Sequence, residues 1–236
     1  MTTWTLPKPA GTRGEWARRI SQLLAGLFLY GMGISLMVRA GIGVAPWDVL
    51  TQGISHRTGI PFGLVTNIVG LLVLLLWIPL RERPGVGTVA NVLLIGPSAQ
   101  LGLALIPQQT APVLQGLVFA GGLALVAVAT GLYIGARLGP GPRDGLMTGL
   151  HRRTGWRIWM VRTGIEVIVV IAGWLLGGQV GIGTLAFALL IGPMVGVTLP
   201  LFRVPERATP GAPAETETEP GTDAVASLLD PGPAGD

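Results

Sequence analysis

The sequence predicts an all-α transmembrane protein. The expected architecture is a six-helix bundle of two inverted three-helix repeats, with short Pro-x-Asp helices between spans 1 and 2 and between spans 4 and 5. Three observations predict it. Half of the 236 residues are apolar and only 12% are charged, against about 25% charged in an ordinary soluble domain. A soluble fold of this size leaves roughly a quarter of its unfolded surface exposed, too much to hide this hydrocarbon content. Six stretches are long and apolar enough to cross about 30 Å of lipid, and the chain aligns with itself at a shift of 96 residues.

The elements follow in order. Residues 1–19 form a basic N-terminal segment ending in Arg18 and Arg19. The membrane domain covers 20–202, with spans at about 20–38, 61–80, 86–106, 113–135, 158–178 and 182–202. The first run is longer than a signal-peptide core and pairs with the fourth in the repeat, so it is read as a retained helix. Residues 203–236 carry seven of the 12 acidic residues and are rich in Pro, Gly, Ala and Thr. Such a tail cannot bury a core and is expected to be disordered.

The loops set an orientation. With the N-terminus in the cytoplasm, the inside segments hold 13 of the 16 Lys and Arg residues and the outside loops hold only Arg39 and Arg57. Positive residues collect on the cytoplasmic side, so both termini are expected inside a bacterial cytoplasmic membrane.

The repeat is carried by two blocks that share one shift. Gly43, Pro46, Asp48, Leu50, Gly53, Arg57, Thr58 and Gly59 meet identical residues at 139–155, eight identities in 17 positions. Positions 85–97 match 181–193 at nine of 13, ending in Leu93, Leu94, Ile95, Gly96 and Pro97 against Leu189, Leu190, Ile191, Gly192 and Pro193. Repeat 1 covers about 20–106 and repeat 2 about 113–202. Three spans is an odd number, so the second copy enters the membrane from the opposite side, as in secondary transporters.

Each repeat places Pro-x-Asp after its first span. Pro46 and Pro142 fit the first position of a helix, and Asp48 and Asp144 favour the positive end of its dipole. Gly59 and Gly155 fit the left-handed stop. Such a helix either lies at the interface or re-enters the membrane with its N-terminus on a translocation path. Gly96-Pro97 and Gly192-Pro193 interrupt spans 3 and 6 at matching positions. Paired interruptions point to a transporter's binding site, though a packing kink produces the same pattern. In span 5, Arg162 and Glu166 share one helix face. Glu166 lies almost halfway across, which makes it a candidate for proton or cation coupling or one half of a structural ion pair. Asn67 and Asn91 add uncharged polar groups within spans 2 and 3, as ligand or as interhelical glue.

The runs 40–50, 139–147, 161–166 and 180–184 resemble the YczE/YitT-like bacterial integral membrane proteins. The likeness covers about residues 18–202. It implies a polytopic membrane fold and a transport role without an agreed substrate, and it supplies no catalytic residues.

The function expected is therefore a small secondary transporter that moves an unidentified small solute by alternating access. The alternative is a non-transporting membrane accessory or assembly subunit. An enzyme is not expected: the chain has no Cys and only two His, and it lacks a Gly-x-Ser-x-Gly elbow. No cofactor or metal is expected. The partners expected are the lipid bilayer, the solute and a second copy of the chain, and no nucleic acid.

Overall fold

The computed structural model describes residues 13–204. The segment before residue 13 and nearly all of the acidic tail lie outside the described residues. Six helices are long and apolar enough to span a membrane, at Gly14–Ala40, Phe62–Leu80, Val86–Leu105, Pro112–Gly135, Ile158–Leu175 and Ile182–Phe202. They match the six spans read from the sequence to within a few residues, apart from the first, which starts earlier. The protein is an all-helical integral membrane protein.

In chain order the helices are α1 (Arg13–Ala40), α2 (Pro46–Thr58), α3 (Phe62–Leu75), α4 (Trp77–Leu80), α5 (Val86–Leu105), α6 (Pro112–Gly135), α7 (Pro142–Thr154), α8 (Ile158–Leu175) and α9 (Ile182–Phe202). The second span is α3 continued by α4 through a turn at Leu76. The short helices α2 and α7 are 13 residues each, with Pro at the start. Both end on a left-handed glycine, Gly59 at φ 71° and Gly155 at φ 72°. A residue with a Cβ pays for that conformation, and glycine does not.

The centre is α1 against α6, with α5 also on α1 and α9 on α6. Small residues set these distances. A Cβ on Gly26 would stand 2.8 Å from the Tyr133 nitrogen, and one on Gly33 would stand 3.0 Å from the Gly122 carbonyl oxygen. Without an aqueous driving force, membrane helices associate through such close packing. Around this pair, α3 packs on α5, α2 on α8, and α7 on α3, α4 and α8.

Backbone junctions recur at the 96-residue shift, but crosswise. The Gly183 N–H donates to the Ile42 carbonyl at 2.9 Å, and the Gly87 N–H donates to the Leu138 carbonyl at 2.8 Å. The loop after the first helix of each half thus meets the start of the last helix of the other half. Thr184 and Thr88 stand in these junctions, each accepting from the N–H of its own N-cap glycine, Gly181 at 3.3 Å and Gly85 at 3.2 Å. The Val44 N–H donates to Thr184 at 3.2 Å. At the matching position Pro140 has no N–H, and there the Thr88 hydroxyl donates to the Pro140 carbonyl at 2.7 Å.

Gly96-Pro97 and Gly192-Pro193 do not break their helices: α5 and α9 run through both. Proline at 97 frees the Leu93 carbonyl four residues back. The Asn67 side-chain amide donates to that oxygen at 3.4 Å. Gly96 lets α3 approach so closely that a Cβ there would lie 2.2 Å from the Gly63 oxygen. The second half differs: a Cβ on Gly192 would meet nothing within 4 Å.

Candidate functional site

The first turns of α2 and α7 meet inside the bundle. Asp48 and Asp144 each occupy the third helical position, where the helix dipole favours a carboxylate. Asp48 is 1% exposed. Its Oδ1 lies 3.7 Å from Arg143 Nη2 and accepts no hydrogen bond. The Arg143 guanidinium also lies over the Trp47 ring, 5.1 Å from its centroid, within cation–π range. Trp47 and Arg143 are equivalent positions at the 96-residue shift, so the two short helices touch through matching residues. The Trp47 Nε1 is buried without a partner.

Asp144 has a different setting. The Tyr133 hydroxyl donates to its Oδ2 at 3.1 Å. Tyr133 meets Tyr30 edge-to-face, with ring centroids 5.9 Å apart. These are the only two tyrosines in the chain. Both line a cavity with Asp144, Arg143, Thr66 and Asn91 as its other polar residues. Its apolar wall is Val69, Val73, Val92 and Ile95. The cavity is about 70 Å³, room for a few waters or a small polar group.

Burial pushes both carboxyls above their ordinary range. For Asp48 the Arg143 charge offsets part of that rise. For Asp144 the offsets are the Tyr133 hydrogen bond, the charges of Arg162 and Arg143, and the Gly141 N–H. Removal from water disfavours the charged form, and neighbouring cations and donors favour it.

The cavity is one-sided. At the positions equivalent to Tyr30, Asn91, Ile95, Tyr133 and Gly141 stand Val126, Phe187, Ile191, Met37 and Ala45. These five pack together in one apolar cluster. The other equivalents keep charge, since Arg162, Glu166 and Asp48 stand where the cavity has Thr66, Gly70 and Asp144, so only this part of the matching region is filled by hydrocarbon.

The residues singled out from the sequence fall in three places. Asp144 and Asn91 line the cavity, and Asp48 lies behind it across Arg143. Arg162 and Glu166 form an ion pair on α8 at 3.0 Å, and the Arg162 charge reaches Asp144. Asn67 and Gly96 sit at the α3–α5 crossing. Pro97, Gly192 and Pro193 are exposed on the outer surfaces of α5 and α9. Sequence reasoning missed Tyr30, Tyr133, Thr66 and the cavity role of Arg143. Two tyrosines in 236 residues, both in apolar spans, was the available signal. Among the described residues no group of three His, Cys, Asp or Glu is placed to hold a metal.

Comparison with known proteins gives relatives without an assigned activity. Residues 17–200 match a family described as a family of unknown function, DUF6198. An uncharacterized protein of Haemophilus influenzae is 38% identical over 178 residues, covering 75% of this chain and 82% of its own. The uncharacterized membrane protein YczE of Bacillus subtilis is 32% identical over 188 residues, covering 79% and 87%. The uncharacterized protein YyaS of Bacillus subtilis is 26% identical over 183 residues, covering 75% and 90%. No solved structure matches.

Proposed function

The chain belongs to the DUF6198 family of unknown function, and on that premise we propose that this integral membrane protein is a small secondary transporter. It moves a small solute by alternating access through the Tyr30–Tyr133–Asp144 cavity and acts as a transporter, not an enzyme. The observation that carries this reading is the meeting of two half-length helices, α2 and α7, around buried charges beside a cavity. Non-spanning backbone and ionisable groups at membrane depth are tolerated where they line a route or are buried in protein.

Two further observations support it. The crosswise hydrogen bonds of Gly183 to Ile42 and Gly87 to Leu138 support a two-fold relation between the halves, and three spans per half would put its axis in the membrane plane. The polar cavity and the Met37–Val126–Phe187–Ile191 packing at its partly matching positions support a difference between the two sides of the site. Both termini lie in the cytoplasm of a bacterial cell, as the Arg-rich segments favour.

The test is reconstitution in liposomes. Transport currents are recorded on a solid-supported membrane for panels of small amines, carboxylates and amino acids. A saturable current that Asp144→Asn abolishes supports the reading. No saturable current from any panel, with folded protein, favours a non-transporting accessory.

A further inference from the structure

Resting on the transporter reading, the charges at the meeting of α2 and α7 identify the coupling ion. The Arg143 guanidinium stands by Asp48 and lines the same cavity as Asp144. Asp48 is buried, with the Arg143 guanidinium 3.7 Å from its Oδ1. Asp144 faces the cavity and accepts from the Tyr133 hydroxyl. The remaining groups near Asp144 do not settle the balance. Tyr30 from α1 and Tyr133 from α6 are neutral phenols. Arg162 from α8 is already matched by Glu166 at 3.0 Å. The α3 and α5 walls offer Thr66 and Asn91, which do not titrate. The cluster is short of one positive charge, and an uncompensated charge in such surroundings is strongly disfavoured. A metal cation fits poorly. The Tyr133 hydroxyl already donates to Asp144, and a guanidinium lines the same cavity.

The geometry points to one exchangeable proton shared between Asp48 and Asp144, with Arg143 pairing whichever carboxylate lacks it, as the coupling ion of the transport cycle. The cycle starts from the state in which Arg143 pairs Asp48, 3.7 Å away as here, and Asp144 carries the proton. The Asp144 O–H bond breaks and its proton passes to water in the cavity, leaving a carboxylate. Arg143, the adjacent residue on α7, moves from Asp48 to that carboxylate. Asp48, relieved of its cation, takes a proton from the opposite side once the Met37–Phe187 packing has opened. One proton enters and one leaves, and the three groups sum to zero in both states. The upward shift of both carboxyls by burial agrees with one of them being neutral.

The test needs no solute, so its outcome is separate from the flux experiment. Infrared spectra of the full chain in liposomes are recorded in H2O and D2O across the pH range. At neutral pH the wild type is expected to show a carboxylic-acid C=O stretch that shifts in D2O. Asp144→Asn should lose it. Asp48→Asn should lose it too, because Arg143 is then free to hold Asp144 as a carboxylate. That second loss is not expected of an isolated buried acid. If Asp144→Asn fails to fold, Asp48→Asn and the wild-type titration decide. A wild type without the band at neutral pH overturns the proposal. So does a band that survives Asp48→Asn, or one that persists in Asp144→Asn and falls with Glu166→Gln. A normal band in a protein that moves no solute would leave the shared proton standing and remove the transporter reading instead.

Discussion

Replacing Thr88 or Thr184 by Val tests the crosswise junctions that join the two halves. Valine is close in shape to threonine, so what is lost is the hydroxyl. At 88 that oxygen accepts from the Gly85 N–H at 3.2 Å and donates to the Pro140 carbonyl at 2.7 Å. At 184 it accepts from the Gly181 N–H at 3.3 Å and the Val44 N–H at 3.2 Å. Thr88 is 0% exposed and Thr184 is 7% exposed, so water cannot easily replace either hydroxyl. Each buried partner left unpaired costs about 1–3 kcal/mol. Gly85, Gly181 and Pro140 are partly exposed, which leaves Val44, at site 184, as the fully buried partner. The expected loss is about 2–3 kcal/mol for Thr184→Val and about 1–2 kcal/mol for Thr88→Val. The junctions share no hydrogen-bond partner, so the double variant should lose the sum. The assay is unfolding in mixed micelles followed by circular dichroism. A loss confined to one variant would refute the equivalence of the junctions. No loss in either would refute the role of these hydrogen bonds.

The repeat also predicts where its two halves part company. Gly96→Ala should destabilise by about 1–3 kcal/mol through overpacking, since its Cβ would lie 2.2 Å from the Gly63 oxygen. Its counterpart Gly192→Ala meets open space and should be silent in the same unfolding assay. Stability should also depend on pH with an unusual sign. Burial raises Asp48 and Asp144 above the usual 3.8, so above that value the folded state holds more protons than the unfolded one. Stability then falls as pH rises from about 4 through the raised folded values. Melting curves across that window should show the fall, and Asp144→Asn should flatten it. A wild type that gains stability over the same window would contradict the buried placement of these acids.

Much of the fold was legible because its signals are long. Spans of some 20 apolar residues cannot be mistaken for short buried strands, and Pro46, Asp48 and Gly59 mark the ends of α2 by backbone chemistry alone. The 96-residue shift foretold the matched helices α2 and α7, down to their left-handed glycines. It could not foretell that their first turns meet, because that depends on packing between distant segments. The Gly-Pro pairs misled in a definite way. Proline at 97 does free a carbonyl, but the Asn67 amide donates to it, so the helix continues. Arg143 follows Pro142 in the first turn of α7, and only the fold brings it to Asp48. Tyr30 and Tyr133 carry no local pattern, and their edge-to-face contact arises from the α1–α6 crossing.

The central claim is that the two halves lie in the membrane in opposite senses. The chain has no cysteine, so His56→Cys and His151→Cys give clean single-label proteins, one at the end of α2 and one at the end of α7. With a membrane-impermeant maleimide on intact cells, position 56 should react at once and position 151 only after the membrane is opened. Labelling of both from the same side would contradict the account.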